Sequence, residues 1–357
     1  MTSSSIEVAG RTIGPGHPPF VIAEAGVNHN GDPELARRLI DAAADAGADA
    51  VKFQTYEATA LATAQAERAA YQRDPSGSDS QLAMLQQLEL ARGSWAELAA
   101  HAAERGIVFL SSPFDVPSVD LLAGLGVPAF KIGSGDLTNG MLLRAVARHR
   151  RPVLLSTGMG TLEDVDAALA ELRSGGAEQV ALLHCVSIYP AELEDVNLRA
   201  IDTLRDRFDV PVGFSDHTVG LLASIVATGR GAALIEKHLT LDRSLPGPDH
   251  AASLTPATFA ELIDAIRRTW TALGDGVKRP RDGEREIMRV ARRSLVTSRP
   301  LSAGHVLTLD DLDAKRPGTG LSPMMIDTVV GRRLAGDFEG DHVLRPTDVD
   351  PPIDRPG

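Results

Sequence analysis

Short apolar runs alternate along the chain with stretches whose apolar residues recur at helical spacing. The first run, FVIAEA at 20–25, is followed by Asp32-Pro33 and then by Leu35, Leu39, Ile40 and Ala43, with Gly47 closing the stretch. An N-capping aspartate, a proline at the first helical position and a terminal glycine predict a helix over 33–46. The same alternation continues through the runs at 50–55, 107–112, 129–134, 152–157, 180–185, 211–216 and 233–238. Helices fit between them, as where Thr161, Asp164 and the spaced Val165, Leu169 and Leu172 predict a capped helix. Eight strand-and-helix units predict an α/β fold, a (β/α)8 barrel of the TIM type, with an open doubly wound sheet as the alternative. A last helix ends near Leu273. From Ser294 the pattern changes to short strands and turns, which predicts a small, mostly β domain. The expected organisation is a barrel over 1–280, a charged linker over 281–293 and the small domain over 294–357. No internal repeat of fixed period is read beyond the strand–helix alternation.

Composition narrows the function classes. The 36 basic and 48 acidic residues leave a formal charge of −12, the wrong sign for displacing counterions from nucleic acid phosphates. Aromatic residues make up 4% of the chain, too few for base-stacking platforms. No apolar run approaches the roughly 18 residues of a membrane helix, and the first residues lack the basic and apolar segments of a signal peptide. The single cysteine, Cys185, fits a reducing compartment and reads as a buried packing residue. A cytoplasmic protein without nucleic-acid or membrane partners is expected.

In barrels the reactive groups gather at the C-terminal ends of the strands. Every run ends in polar residues: Glu24; Lys52 and Gln54; Ser111 and Ser112; Lys131 and Ser134; Ser156; Cys185 and Ser187; Asp216 and His217; Glu236 and His238. Strand alternation puts Lys52 with Gln54, and Glu236 with His238, on one face, and Val51, Phe53, Ile235 and Lys237 on the other. Two lysines from separate strands, together with several serines, make an anion pocket suited to phosphate and carboxylate. A structural alternative pairs Lys52 and Lys131 with Glu24 and Asp136. His217 and His238 stand on adjacent strands, where neutral imidazoles either bind a metal with open positions or form a structural pair. Asp216 either orients a ligand or caps a helix starting near Val219. His29 and His250 either touch substrate or orient loops.

The segments FVIAEAGVNHNGD (20–32), AVKFQTY (50–56), SSPFD (111–115), KIGSGDLTN (131–139), LSTGMG (155–160), LLHCVSIYP (182–190), GFSDHT (213–218), EKHLTLDRSLPGPDH (236–250) and KRPGTG (315–320) resemble, in order, the sialic acid synthase family. That family condenses phosphoenolpyruvate with an N-acyl amino sugar to make nonulosonic acids. The resemblance implies a phosphoenolpyruvate-binding barrel followed by an antifreeze-like (SAF) domain. Lys52, Lys131, Ser134, Ser156 and Ser187 match positions that hold phosphoenolpyruvate, and His217 and His238 match the ligands of a divalent metal, usually Mn2+, with Mg2+ or Co2+ as alternatives. Glu24, Tyr189 and Asp249 match positions that contact the sugar or complete the site. Arg316 matches an arginine that one subunit's small domain supplies to its partner, which implies a homodimer with exchanged C-terminal domains.

The resemblance also implies a carbon–carbon bond-forming transferase with Asp136, Glu24, Lys52 and Lys131 in catalytic positions. Attack of the phosphoenolpyruvate methylene on the sugar aldehyde, addition of water and loss of phosphate by C–O cleavage complete the expected reaction. Two positions depart from the family pattern: Asp136 stands where glutamate is usual, and Ser187 where asparagine is frequent. Acceptors such as N-acetylmannosamine, a 2,4-diacetamido-trideoxyhexose or a specialised antibiotic sugar all suit the same machinery, with residues 57–87 and Arg316 expected to read the difference. A non-catalytic sugar-binding protein is the contrasting reading, favoured by the two departures. A metal-dependent aldolase or a deoxy-sugar-phosphate synthase is a third, but it calls for arginines at the run ends, where none is found.

Overall fold

The computed structural model describes residues 5–68 and 80–354, so part of the expected acceptor-reading stretch, 69–79, lies outside the described residues. Contacts divide the chain into two compact units, 1–274 and 275–357. The first opens with a hairpin of β1 (Ile6–Val8) and β2 (Arg11–Ile13), turning at Ala9 and Gly10, both at positive φ. Eight parallel strands follow: β3 (Phe20–Gly26), β4 (Ala50–Thr55), β5 (Val108–Pro113), β6 (Phe130–Ile132), β7 (Val153–Ser156), β8 (Val180–Cys185), β9 (Val212–Asp216) and β10 (Leu234–His238). Their order, β5-β4-β3-β10-β9-β8-β7-β6, makes a nearly closed TIM-type barrel. Among the described residues, β5 and β6 flank the seam without a hydrogen-bonded ladder between them.

The helices form as the sequence signals dictate. Asp32 accepts a hydrogen bond from the Glu34 amide, Pro33 opens the helix Pro33–Ala46, and Gly47 ends it at φ 84°. Thr161 and Asp164 form a reciprocal capping box ahead of Leu162–Ser174. The helix after β9 starts only at Leu222, and no side chain caps it. Asp216 therefore does not cap it.

Strand alternation sorts the barrel into two cores. Val21, Val51, Phe53, Phe109, Ile132, Val153, Leu155, Phe214 and Ile235 pack outward under the helices. Ile22, Ala50, Leu110, Leu154, Leu183 and Leu234 instead fill the interior, with Ile6, Val8 and Ile13 of the hairpin closing its N-terminal end. Each such leucine contributes about 1.5–3 kcal/mol by leaving water.

The second unit begins with a helix, Glu284–Ala291, across the stretch expected to be a linker. Beyond it lie the pairs Ser294–Thr297 with Leu312–Lys315 and Arg333–Leu334 with Val349–Asp350, around a core that includes Leu295, Leu307, Val329 and Leu344. Two short segments correspond here: His305-Val306-Leu307-Thr308 with Asp311 matches His342-Val343-Leu344-Arg345 with Asp348. In both copies the histidine Nε2 lies 2.8 Å from the aspartate carboxylate, which also accepts from the backbone N–H of Thr308 or Arg345. Two short copies lack the length for a periodic signal, and the shared carboxylate reveals the match.

Candidate active site at the barrel mouth

Directly above the apolar interior, the inward positions become charged. β3 contributes Glu24, β4 Lys52, β6 Lys131 and β10 Glu236, with both lysines no more than 3% exposed. Lys52 Nζ lies 2.7 Å from Glu24, 3.8 Å from Glu236 and 3.2 Å from Ser112 Oγ. Lys131 Nζ lies 3.5 Å from Glu236 and donates to Ser156 Oγ at 2.8 Å. Ser215 Oγ donates to Glu236 and Gln54 Nε2 to Glu24. The structural pairing expected for Lys131 is thus corrected: its carboxylate partner is Glu236. Asp136 lies past the end of β6, in the turn Ser134–Asp136, where its carboxylate accepts from Asn139 Nδ2 at 2.9 Å.

Burial and charge set these groups apart. Burial pushes the Glu24 carboxyl up to about 7, although Lys52 works against the shift. Burial also opposes ionisation of Glu236, but Lys131 and Lys52 outweigh it and hold that carboxyl at about 2. Lys131 is lowered by burial, whereas the two glutamates more than offset burial at Lys52 and raise it. Burial raises Asp136 as well.

Beside the charges is a hydroxyl cradle. Ser134 Oγ accepts from the Gly158 amide at 3.0 Å and lies 2.9 Å from Cys185 Sγ. A Cβ on Gly158 would fall 2.5 Å from Ser187 Oγ, 2.7 Å from Cys185 Sγ and 2.8 Å from Ser134 Oγ. The three side chains can therefore converge only over a glycine. Cys185 is buried, as expected, and forms part of this wall.

His217 and His238 project from the ends of β9 and β10, their rings 5.6 Å apart. Tyr189 lies 4.1 Å from the first ring and meets the second edge-on at 5.9 Å. His217 Nδ1–H donates to the Val186 carbonyl at 2.7 Å, which leaves Nε2 with its lone pair. His238 Nδ1 is buried without a hydrogen-bond partner, 3.8 Å from Asp249. Burial lowers both histidines, which favours their neutral forms, and it pushes Asp249 up to about 6. Two neutral imidazoles fit the donor chemistry of the divalent cation that the resemblance implies. Among the described residues no group of three or more His, Cys, Asp or Glu side chains forms a metal site, so the remaining positions would fall to substrate and water oxygens. Behind the histidines, Lys237 Nζ lies 2.9 Å from Asp216 and donates to the Thr218 carbonyl at 2.6 Å. Asp216 also accepts from the Thr218 amide and from Ser224 Oγ.

A cleft of about 100 Å³ opens beside this pair, lined by Gln54, Tyr189, His238 and Asp249 and by the apolar Val27, Met84, Leu85, Leu88 and Pro248. His29 and His250 orient loops: His29 Nδ1 accepts from the Gly31 amide, and His250 bridges Thr240 Oγ1 and Asn30 Oδ1. Arg316 is exposed in the second unit. The sequence placed Glu236 on the inward face but gave it no role; Ser215, two residues before His217, was not singled out. Strand alternation from His238 and a search for lysine counter-charges would have found both.

The NeuB family pattern matches residues 39–278, and the SAF domain pattern matches 292–350. The chain is 46% identical to N,N'-diacetyllegionaminic acid synthase of Legionella pneumophila, over 91% of this chain and 93% of that one. It is 35% identical to human N-acetylneuraminate-9-phosphate synthase, over 96% and 95% of the two chains. Among solved structures, N-acetylneuraminic acid synthetase from Leptospira borgpetersenii superposes with a TM-score of 0.71 at 36% identity, covering 80% of this chain and 95% of that one. Similarity of this depth along nearly the whole length makes this chain a member of the NeuB family of nonulosonic acid synthases, with a C-terminal SAF domain.

Proposed function

We propose that this enzyme condenses phosphoenolpyruvate with an open-chain N-acyl amino sugar, releasing phosphate by C–O cleavage. The observation that carries the reading is the pair of buried lysines at the mouth, Lys52 and Lys131, beside the hydroxyls of Ser134, Ser156 and Ser187. Such a set suits a small molecule bearing both phosphate and carboxylate. Lys52 and Lys131 hold these anionic groups so that the methylene carbon faces the acceptor aldehyde, and fixing two reactants this way removes a large entropic barrier. A divalent cation held by His217 and His238 would supply Lewis-acid polarisation of the acceptor carbonyl.

Carbon–carbon bond formation leaves the aldehyde oxygen needing a proton. Glu24, with its carboxyl near 7, suits proton transfer close to neutral pH. Asp136, held by Asn139, keeps the second carboxylate for the water that adds before phosphate departs. Tyr189 and Asp249 belong to the acceptor side. Arg316 is read as a further acceptor contact, supplied between subunits of a homodimer with exchanged C-terminal domains.

The test is phosphate release from phosphoenolpyruvate in the presence of Mn2+ and a panel of N-acyl amino sugars. Acceptor-dependent release that disappears in His217→Ala is the expected result. Binding of phosphoenolpyruvate without release under any acceptor would favour a non-catalytic sugar-binding protein.

A further inference from the structure

The stretch expected to be a linker is a helix, Glu284–Ala291, and the loop that carries Arg316 is docked against its last turn. The Gly318 amide donates to the Arg289 carbonyl at 2.8 Å. A Cβ at Gly318 would fall 2.6 Å from Arg292 Cβ and 2.9 Å from the Met288 carbonyl oxygen, so an added methyl would push the loop off the helix. Buried Ser294 holds the same loop at two further points: its Oγ donates to the Pro317 carbonyl at 2.6 Å and accepts from the Gly320 amide at 2.8 Å. Backbone groups at 317, 318 and 320 are thereby fixed, whereas Arg316 is exposed and, among the described residues, has no ion-pair partner. None of the helix's own residues is buried, so its contact with the loop lies outside the core around Leu295 and Leu344. A helix of eight residues gains little from propensity alone and needs a tertiary contact to persist.

We propose that Gly318 and the helix Glu284–Ala291 are positioning elements that fix where Arg316 is presented to the acceptor. The inference rests on the reading of Arg316 as an acceptor contact and adds what aims it. An arginine stem is long and flexible, so the placement of its planar guanidinium depends on the backbone from which it starts. A contact misplaced by about 1 Å can cost a large part of a rate, and a clamped backbone removes that error. Ser294 also opens the core strand Ser294–Thr297, so its loss would disturb folding, whereas the atoms nearest Gly318 belong to the helix and to Arg292 directly after it. Gly318 is therefore the selective probe.

Gly318→Ala is introduced into the full chain; the residue lies outside the left-handed region, so the new methyl is opposed by the helix end and not by backbone strain. Phosphate release is followed with phosphoenolpyruvate, Mn2+ and the faster of N-acetylmannosamine and a 2,4-diacetamido-2,4,6-trideoxyhexose. KM for the acceptor should rise roughly 3–30-fold while KM for phosphoenolpyruvate stays within about twofold. In an Arg316→Ala background, which itself raises acceptor KM, Gly318→Ala should add nothing. Ile287→Gly with Val290→Gly, at exposed positions, weakens the helix without touching the loop and should give the same split. This second variant carries the test should Gly318→Ala disturb folding, which circular dichroism reports. Unchanged acceptor KM in both folded variants, with Arg316→Ala still impaired, overturns the clamp and leaves Arg316 in its role. An equal rise with and without Arg316 overturns it too, because the effect then does not pass through the arginine. Parental KM in Arg316→Ala overturns the acceptor reading of that residue and this inference together, and silence with every acceptor of the panel above overturns the synthase reading as well.

Discussion

Within one barrel interior, the N-terminal floor and the C-terminal mouth are built on the same strands and differ completely in chemistry. Ile22 and Glu24 share a face of β3, Ala50 and Lys52 a face of β4, Leu234 and Glu236 a face of β10. Two residues of rise turn hydrocarbon into charge. The floor stabilises by excluding water, and the same exclusion makes every charge above it expensive. Buried charges retained at that cost are weak evidence for stability and fit the function proposed above, and the contrast can be attacked from either side.

The largest effect is expected where the mouth is neutralised. Glu24→Gln combined with Lys52→Met removes a charge pair without stranding one partner, so stability by urea denaturation should hold or rise. Turnover should fall about a thousandfold or more, about 4 kcal/mol of transition-state stabilisation. A variant that unfolds but stays active when folded would reverse the assignment. On the floor, Leu183→Ala should cost about 2–5 kcal/mol of stability through the cavity it leaves. The rate per folded molecule should stay within about twofold, as judged by active-site titration.

Between the two lies the buried pair Lys237–Asp216, on the outward face directly behind both histidines. Lys237→Met should weaken Mn2+ binding by about 10–100-fold, seen as free Mn2+ in electron paramagnetic resonance spectra. The smallest effect belongs to the second unit. Burial opposes ionisation of Asp311, but hydrogen bonds from His305 and Thr308 hold its carboxyl well below the usual range. Its folded form therefore favours the anion, so the contribution is complete above the unfolded value near 4 and fades as pH falls below it. Asp311→Asn should lower stability at pH 7 by about 1–3 kcal/mol, with the gap from the parent protein closing on acidification in calorimetric scans.

The sequence was most legible where periodicity and capping coincide. Eight apolar runs announced eight strands, and Asp32, Pro33 and Gly47 framed their helix to the residue. Strand ends were less distinct, because β6 stops at Ile132 while the apolar-looking run continues to Ser134, already in a turn. That early exit is why Asp136 did not meet Lys131. The hairpin at Ile6–Ile13 was missed, although Ile-Glu-Val and Arg-Thr-Ile around a glycine-bearing turn are a short-range signal. Lys52 and His238 could be given a face from strand alternation, whereas Lys131 and His217 were read only as run-end residues. The identity of the lysine partners could not be read, since it depends on which strands are neighbours across the barrel, and that is a property of closure and not of spacing.

The seam between β5 and β6 turns the barrel from a hoop into a split ring. Seven hydrogen-bonded ladders resist any change in circumference, but among the described residues none crosses that gap. Ser112 and Lys131 stand on its two sides, each within reach of the charged layer through Lys52 and Glu236. Among the described residues, no strand ladder ties the two sides of the mouth together there. On the proposed reaction, that is the side where two reactants would be admitted and one inorganic ion released.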